Sequence, residues 1–254
     1  MAWLERQRIR YTLRHHAIPE TVWSELMCNA DVFERLSAVE REHLRELSTL
    51  FLHRKTLSGV QGFNVSTAMA VAIAAQACLL ILKLGLEYYD GWLEVLVYPG
   101  AFRVERDVTD ATGVVSHEAR ALSGESWSRG PVILSWDDIA AELAAPHPGH
   151  NVVLHEFAHK LDMLNGSANG MPPLHRDMVR TQWTRHFSQA FDQLRHRLAH
   201  HHRPGIDAYG ATNPAEFFAV ASEYFFTDPQ TLKHVSPAIY EQLTLFYRQH
   251  PASP

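Results

Sequence analysis

Cysteine is nearly absent. Cys28 and Cys78 are the only two in 254 residues, so neither a disulfide framework nor a four-cysteine zinc site can be assembled, and the usage suits a reducing compartment. Basic charge is not in excess. With 23 Lys and Arg against 28 Asp and Glu, the formal net charge is −5, which argues against a broad basic surface for nucleic acid even if some of the 17 histidines are protonated. No direct nucleic-acid partner is expected. A membrane-length apolar run is also missing: the most apolar segment, Ala68 to Leu82, is roughly 15 residues with Gln76 inside and Lys83 ending it, short of the ~20 that cross a bilayer. It reads as a buried helix. The first residues, Met1 to Arg8, lack the continuous apolar stretch of a secretory signal, so cytoplasmic residence and no membrane partner are the expectation.

What is present is an ordinary globular mixture, 46% hydrophobic and 20% charged, without internal repeat or low-complexity linker. The expected organisation is one unit over residues 1–254, in three stretches. Residues 1–86 read as helical, with Ser37 and Glu40 in capping-box spacing ahead of Leu44, Leu47, Leu50 and Phe51. Residues 92–136 read as a small sheet. Its strands are Trp92 to Tyr98, Phe102 to Val108, another within Val114 to Leu122, and Pro131 to Trp136, the last as an edge strand. Residues 150–250 return to helices: Asn151 to Leu164, about Leu174 to His200, and Pro214 to Phe226 with proline in the first turn. The fold class is therefore α+β, mostly helical with a small mixed sheet.

One helix carries chemistry. His155 and His159 in His155-Glu156-Phe157-Ala158-His159 lie one turn apart on the same face and can present ring nitrogens to one tetrahedral zinc. Glu156 between them is placed as the general base for the water such a metal activates. The spelling alone is weak in a histidine-rich chain: 17 histidines and 17 glutamates would produce it ~0.08 times per shuffled sequence. His117-Glu118 is a near miss, with Ala121 where the second histidine would stand. Context separates the two. Val152, Val153, Leu154, Phe157, Ala158, Leu161 and Leu164 make the helix surface unusually apolar, and polar groups set into such an element need partners.

A catalytic zinc takes three protein ligands and keeps one position open. Glu216, among Ala215, Phe217, Phe218 and Ala219, is the chosen third ligand, with Glu223 seven residues later as its main competitor. Asp162 is a second competitor, favoured instead as the carboxylate that orients a ligating imidazole. Tyr209 beside Gly210 has the chemistry to donate its phenolic proton to a developing oxyanion, although a tyrosine next to glycine is also ordinary surface packing. The clusters His15-His16 and His200-His201-His202 read as exposed loop residues, because adjacent histidines do not share a helix face.

His155 to Asp162 (HEFAHKLD) and Asn213 to Phe226 (NPAEFFAVASEYFF) resemble the Mlc titration factor A family. So do Tyr88-Tyr89-Asp90-Gly91-Trp92, Tyr98-Pro99-Gly100, Ser123-Gly124-Glu125-Ser126-Trp127 and Gly130 to Trp136, whereas Met171 to Arg203 diverges. The resemblance implies a zincin-like, cytoplasmic bacterial zinc peptidase, similar in its catalytic core to anthrax lethal factor. It implies aminopeptidase-like hydrolysis of a peptide or protein substrate and an ability to bind the glucose-regulated repressor Mlc. By the same matching His155, His159 and Glu216 would hold one Zn2+ per chain, Glu156 would be the catalytic base and Tyr209 the transition-state tyrosine.

Overall fold

A computed structural model of the chain describes residues 2–100, 105–109, 115–119 and 130–252. Three helices come first: α1 (Ala2–His15), α2 (Glu20–Asn29) and α3 (Ala38–Arg54). The start of α3 is set locally, because Ser37 accepts the Glu40 amide at 3.3 Å while the Glu40 carboxylate accepts the Ser37 amide at 3.1 Å. Strand β1 (Thr56–Gly59) follows at once, inside the stretch expected to be helical. Four residues with one large apolar side chain carry no periodic signal, and β1 exists because β2 (Glu94–Tyr98) offers it a ladder.

Helix α4 (Thr67–Leu80) lies between them and is buried on all sides from Val71 to Leu80. A helix apolar all round belongs in a core, as its composition predicted. Its polar exception, Gln76, donates to the Ala72 carbonyl at 3.1 Å and accepts from the Asn151 side chain at 2.6 Å. No helix among the described residues is long and apolar enough to cross a membrane.

The strands divide in two. β1, β2 and β5 (Val132–Ser135) form a parallel sheet in that order, with Leu57 beside Val95 and Val95 beside Val132. β3 (Glu105–Thr109) and β4 (Val115–Ala119) form a separate antiparallel pair. His117 and Glu118 stand in β4, paired with Asp107 and Arg106, so the near-miss motif never forms a helix face. Among the described residues β5 ends the strand order, as the edge reading anticipated. Trp136 opens helix α5 (Trp136–Ala144) and does not continue the strand. The Ser123 to Trp127 motif lies outside the described residues.

The remaining helices are α6 (Val152–Asp162), α7 (Arg180–Ala199), α8 (Pro214–Thr227), α9 (Pro229–Val235) and α10 (Pro237–Tyr247). α7 starts six residues later than its apolar spacing suggested, at Arg180 and not Leu174. Met171 to Val179 is held otherwise: Gly170 donates its amide to Asp162 at 2.7 Å and accepts the Trp183 indole at 3.0 Å. Gly170 has φ +78°, and a Cβ there would collide with the Pro214 carbonyl, so the loop can lie against the start of α8 only with glycine at this point.

Two aromatic clusters clamp the helices of the site. Phe157 of α6 sits 5.8, 5.2 and 5.7 Å from the rings of Phe51, Tyr89 and Trp92. Phe218 of α8 meets Trp183, Phe187 and Phe246 at 6.1 to 6.3 Å. Each such ring, fully buried, contributes about 1.5–3 kcal/mol and leaves its helix little freedom to rotate.

Candidate metal centre

Helices α6 and α8 pack against each other, and both are capped by an asparagine. Asn213 accepts the amides of Ala215 and Glu216 at 2.9 and 3.0 Å, and Pro214 occupies the first turn where its missing N–H costs nothing. Asn151 accepts the Leu154 amide at 2.8 Å. The start of α6 takes two further acceptors from elsewhere: Glu223 receives the Asn151 amide at 2.6 Å, and both oxygens of Glu142 stand 3.0 Å from the Val152 amide.

With the two helices so placed, His155, His159 and Glu216 converge, the group of potential metal ligands found among the described residues. The Nε2 atoms of the two histidines are 3.2 Å apart, and one Glu216 oxygen lies 3.0 Å from the first and 3.2 Å from the second. Glu216 is almost wholly buried and the histidines are mostly so.

The protonation of His155 decides what this convergence means. Its Nδ1 is 2.7 Å from Glu223, a carboxylate that can only accept, so Nδ1 carries the proton and Nε2 of the neutral ring presents a lone pair. That lone pair points at a carboxylate oxygen. Acceptor facing acceptor at 3.0 Å in a buried place is repulsive unless a positive charge sits between them. In the protein alone a proton fills that role. Burial opposes charging His155, yet Glu216 and Glu223 outweigh it and lift the imidazole to about 10. Burial likewise raises Glu216, but the hydrogen bonds to His155 and His159 hold it down to about 2. A divalent cation satisfies the same demand with three ligands at once. Zn–N distances near 2.0–2.1 Å imply ligand separations of about 3.3 Å around a tetrahedron, close to the spacings seen. The residues therefore fit the ion that the sequence pattern implied.

Glu156 follows His155 on α6 and is close enough to feel both histidines: burial raises its carboxyl against their lowering effect. Tyr209, on a short 3₁₀ turn (Ala208–Ala211) held by Asp207, places its ring 5.9 Å from that of His155. Its hydroxyl has no hydrogen-bond partner among the described residues, and burial, with Glu216 and Glu156 nearby, pushes its pKa up to about 12. It remains a proton donor at neutral pH.

Of the competing carboxylates, Glu223 backs His155 from behind, the position the sequence reading had favoured for Asp162. Asp162 turns instead to the Gly170 amide, and its second oxygen is buried without a partner. Asn151 and Glu142 were not singled out from sequence. An asparagine just before an apolar helix is a readable cap, but nothing near Glu142 signals that it reaches Val152, ten residues away. Among the described residues neither His15-His16 nor His200-His201-His202 forms a ligand group; all five are exposed, and the His200 ring lies tilted against that of His196 at 4.1 Å.

Fold and site together define a zincin-like metallopeptidase. The family described as glucose-regulated metallo-peptidase M90 matches residues 1–248, and the chain belongs to it. Mlc titration factor A of Salmonella typhimurium is 42% identical over 220 residues, 85% of this chain and 82% of that protein. The uncharacterized protein slr2042 of Synechocystis is 39% identical over 252 residues, 98% of this chain and 89% of its own length.

Proposed function

We propose that this chain is a zinc-dependent peptidase with aminopeptidase-like activity, holding one zinc ion through His155, His159 and Glu216. The observation that carries the reading is the meeting of two imidazole nitrogens and a carboxylate oxygen within 3.2 Å of one another, with a further carboxylate, Glu156, on the same helix. Bound there, zinc supplies Lewis acidity that makes a water acidic enough to lose a proton near neutral pH and polarises a peptide carbonyl. The protein's own groups do the rest. Glu156, with its raised carboxyl, takes the proton from the attacking water and returns it to the leaving amine. Tyr209 donates its free hydroxyl to the carbonyl oxygen as negative charge develops on it. Glu223 keeps His155 in the tautomer that ligates. The end position of β5 supports backbone pairing with an extended peptide.

Glu156→Gln tests the assignment: zinc content should be unchanged and peptide hydrolysis should fall about a hundredfold to ten-thousandfold. Full activity in that variant would overturn it.

The relative named Mlc titration factor A favours a second role, binding of the repressor Mlc in the cytoplasm with the zinc fold serving as scaffold. The same variant separates the two. Repressor release that is unimpaired in Glu156→Gln shows that hydrolysis is unnecessary for regulation, and release lost with activity shows the opposite.

A further inference from the structure

Beside His155 opens a cavity of about 310 Å³ with Tyr209 and Val220 on its walls. Three carboxylates, Glu142, Asp207 and Glu223, also line it, and among the described residues no Lys or Arg does. Two of the three are engaged. Glu223 accepts from His155 and from the Asn151 amide, while Asp207 faces His150 Nε2 at 3.0 Å. Glu142 meets a single amide, that of Val152, shared between its two oxygens, and no cationic side chain lies within ion-pair distance of it among the described residues. Burial, reinforced by Glu223 and Asp138 and only partly offset by the Val152 amide and His155, lifts its carboxyl to about 7. A partly buried carboxylate without a counter-ion, opening on a reaction centre, is stabilised by whatever cation enters. Tyr209 borders both this cavity and His155, so a substrate whose carbonyl is held at the tyrosine hydroxyl brings its neighbouring group to the cavity mouth.

We propose that this cavity is a substrate subsite that takes an ammonium or guanidinium group, with Glu142 as its counter-ion and Val220 packing the methylenes that carry it. The inference rests on the peptidase reading and names the substrate chemistry that site selects. The cation has two possible sources, the α-ammonium of a terminal residue or the side chain of Lys or Arg.

Calorimetric titration of the zinc-loaded protein with three amides distinguishes them. Nα-acetyl-lysinamide carries only the side-chain cation, norleucinamide only the α-ammonium, and Nα-acetyl-norleucinamide neither. At least one cationic probe is expected to bind about tenfold more tightly than the neutral one, and which one does so identifies the source. Glu142→Gln keeps an oxygen for the Val152 amide and removes the charge; the advantage should then shrink to within about twofold, with zinc content and melting temperature retained. Salt gives a second measurement that needs no variant: raising it from about 0.05 M to about 0.5 M should weaken the cationic probes alone. Equal affinity for all three probes, or an advantage that survives Glu142→Gln, overturns the subsite. Peptide hydrolysis by the same preparation keeps the two ideas apart. Hydrolysis without a cation preference sinks the subsite only, whereas a cation preference without hydrolysis sinks the peptidase reading only.

Discussion

The starts of α3 and α6 solve the same problem by opposite means. Both leave backbone amides without helical partners, and both satisfy them with side chains. At α3 the supply is local: Ser37 and Glu40, three residues apart and exposed, complete each other. At α6 the supply comes from Asn151, from Glu142 on α5 and from Glu223 on α8, and Asn151 is tied in turn to Gln76 on α4. A local cap stabilises one helix, while a cap assembled from several elements fixes how those elements sit. The second kind is placed where the geometry of a metal site depends on it.

Breaking the assembled cap at its metal side should have the largest effect. Glu223→Gln keeps one acceptor but cannot serve both His155 and the Asn151 amide, and should lower metal affinity about 10- to 100-fold by chelator competition. An affinity equal to that of the unaltered chain would mean that packing alone orients His155. Next comes Asn151→Ala, which removes the cap of α6 and leaves the Gln76 side-chain oxygen without its donor. A cap is worth about 0.5–2 kcal/mol and an orphaned buried acceptor about 1–3, so denaturant unfolding should show a loss of about 3 kcal/mol.

Ser37→Ala at the local cap should cost only about 1 kcal/mol and leave metal binding untouched. A loss as large as that from Asn151→Ala would erase the contrast. The smallest effect is a pH dependence at the same cap. Hydrogen bonds from Lys83 and Ser37 hold the Glu40 carboxyl at about 2, below its ordinary 4.5. A depressed carboxyl stabilises the fold above its unfolded value and stops doing so as pH falls through the folded one. The stability gap between the unaltered chain and Glu40→Gln should therefore be full above 4.5 and gone by about 2.

Legibility followed the same division. The capping box, the all-apolar α4, the histidine pair of α6 and the proline start of α8 were readable, because each depends on residues within about one to three turns of each other. β1 was missed because four residues form a strand there only beside β2. α7 was extended too far because its apolar spacing continues into a segment that Asp162 and Gly170 hold in another shape. In the site, the trio of His155, His159 and Glu216 was legible, and the carboxylate behind His155 was not: Asp162 was favoured for the place that Glu223 takes.

Sequence by itself determined that His155 and His159 share a helix face with Glu156 beside them, since the 3.6-residue period leaves them no other arrangement once the helix forms. It also placed two acids, Glu216 and Glu223, on one face of α8, two turns apart. Only the tertiary structure decided which stands before His155 and which behind it. The two nitrogens of one imidazole face opposite ways, and how α8 lies across α6 sets which carboxylate meets Nε2 beside His159 and which meets Nδ1.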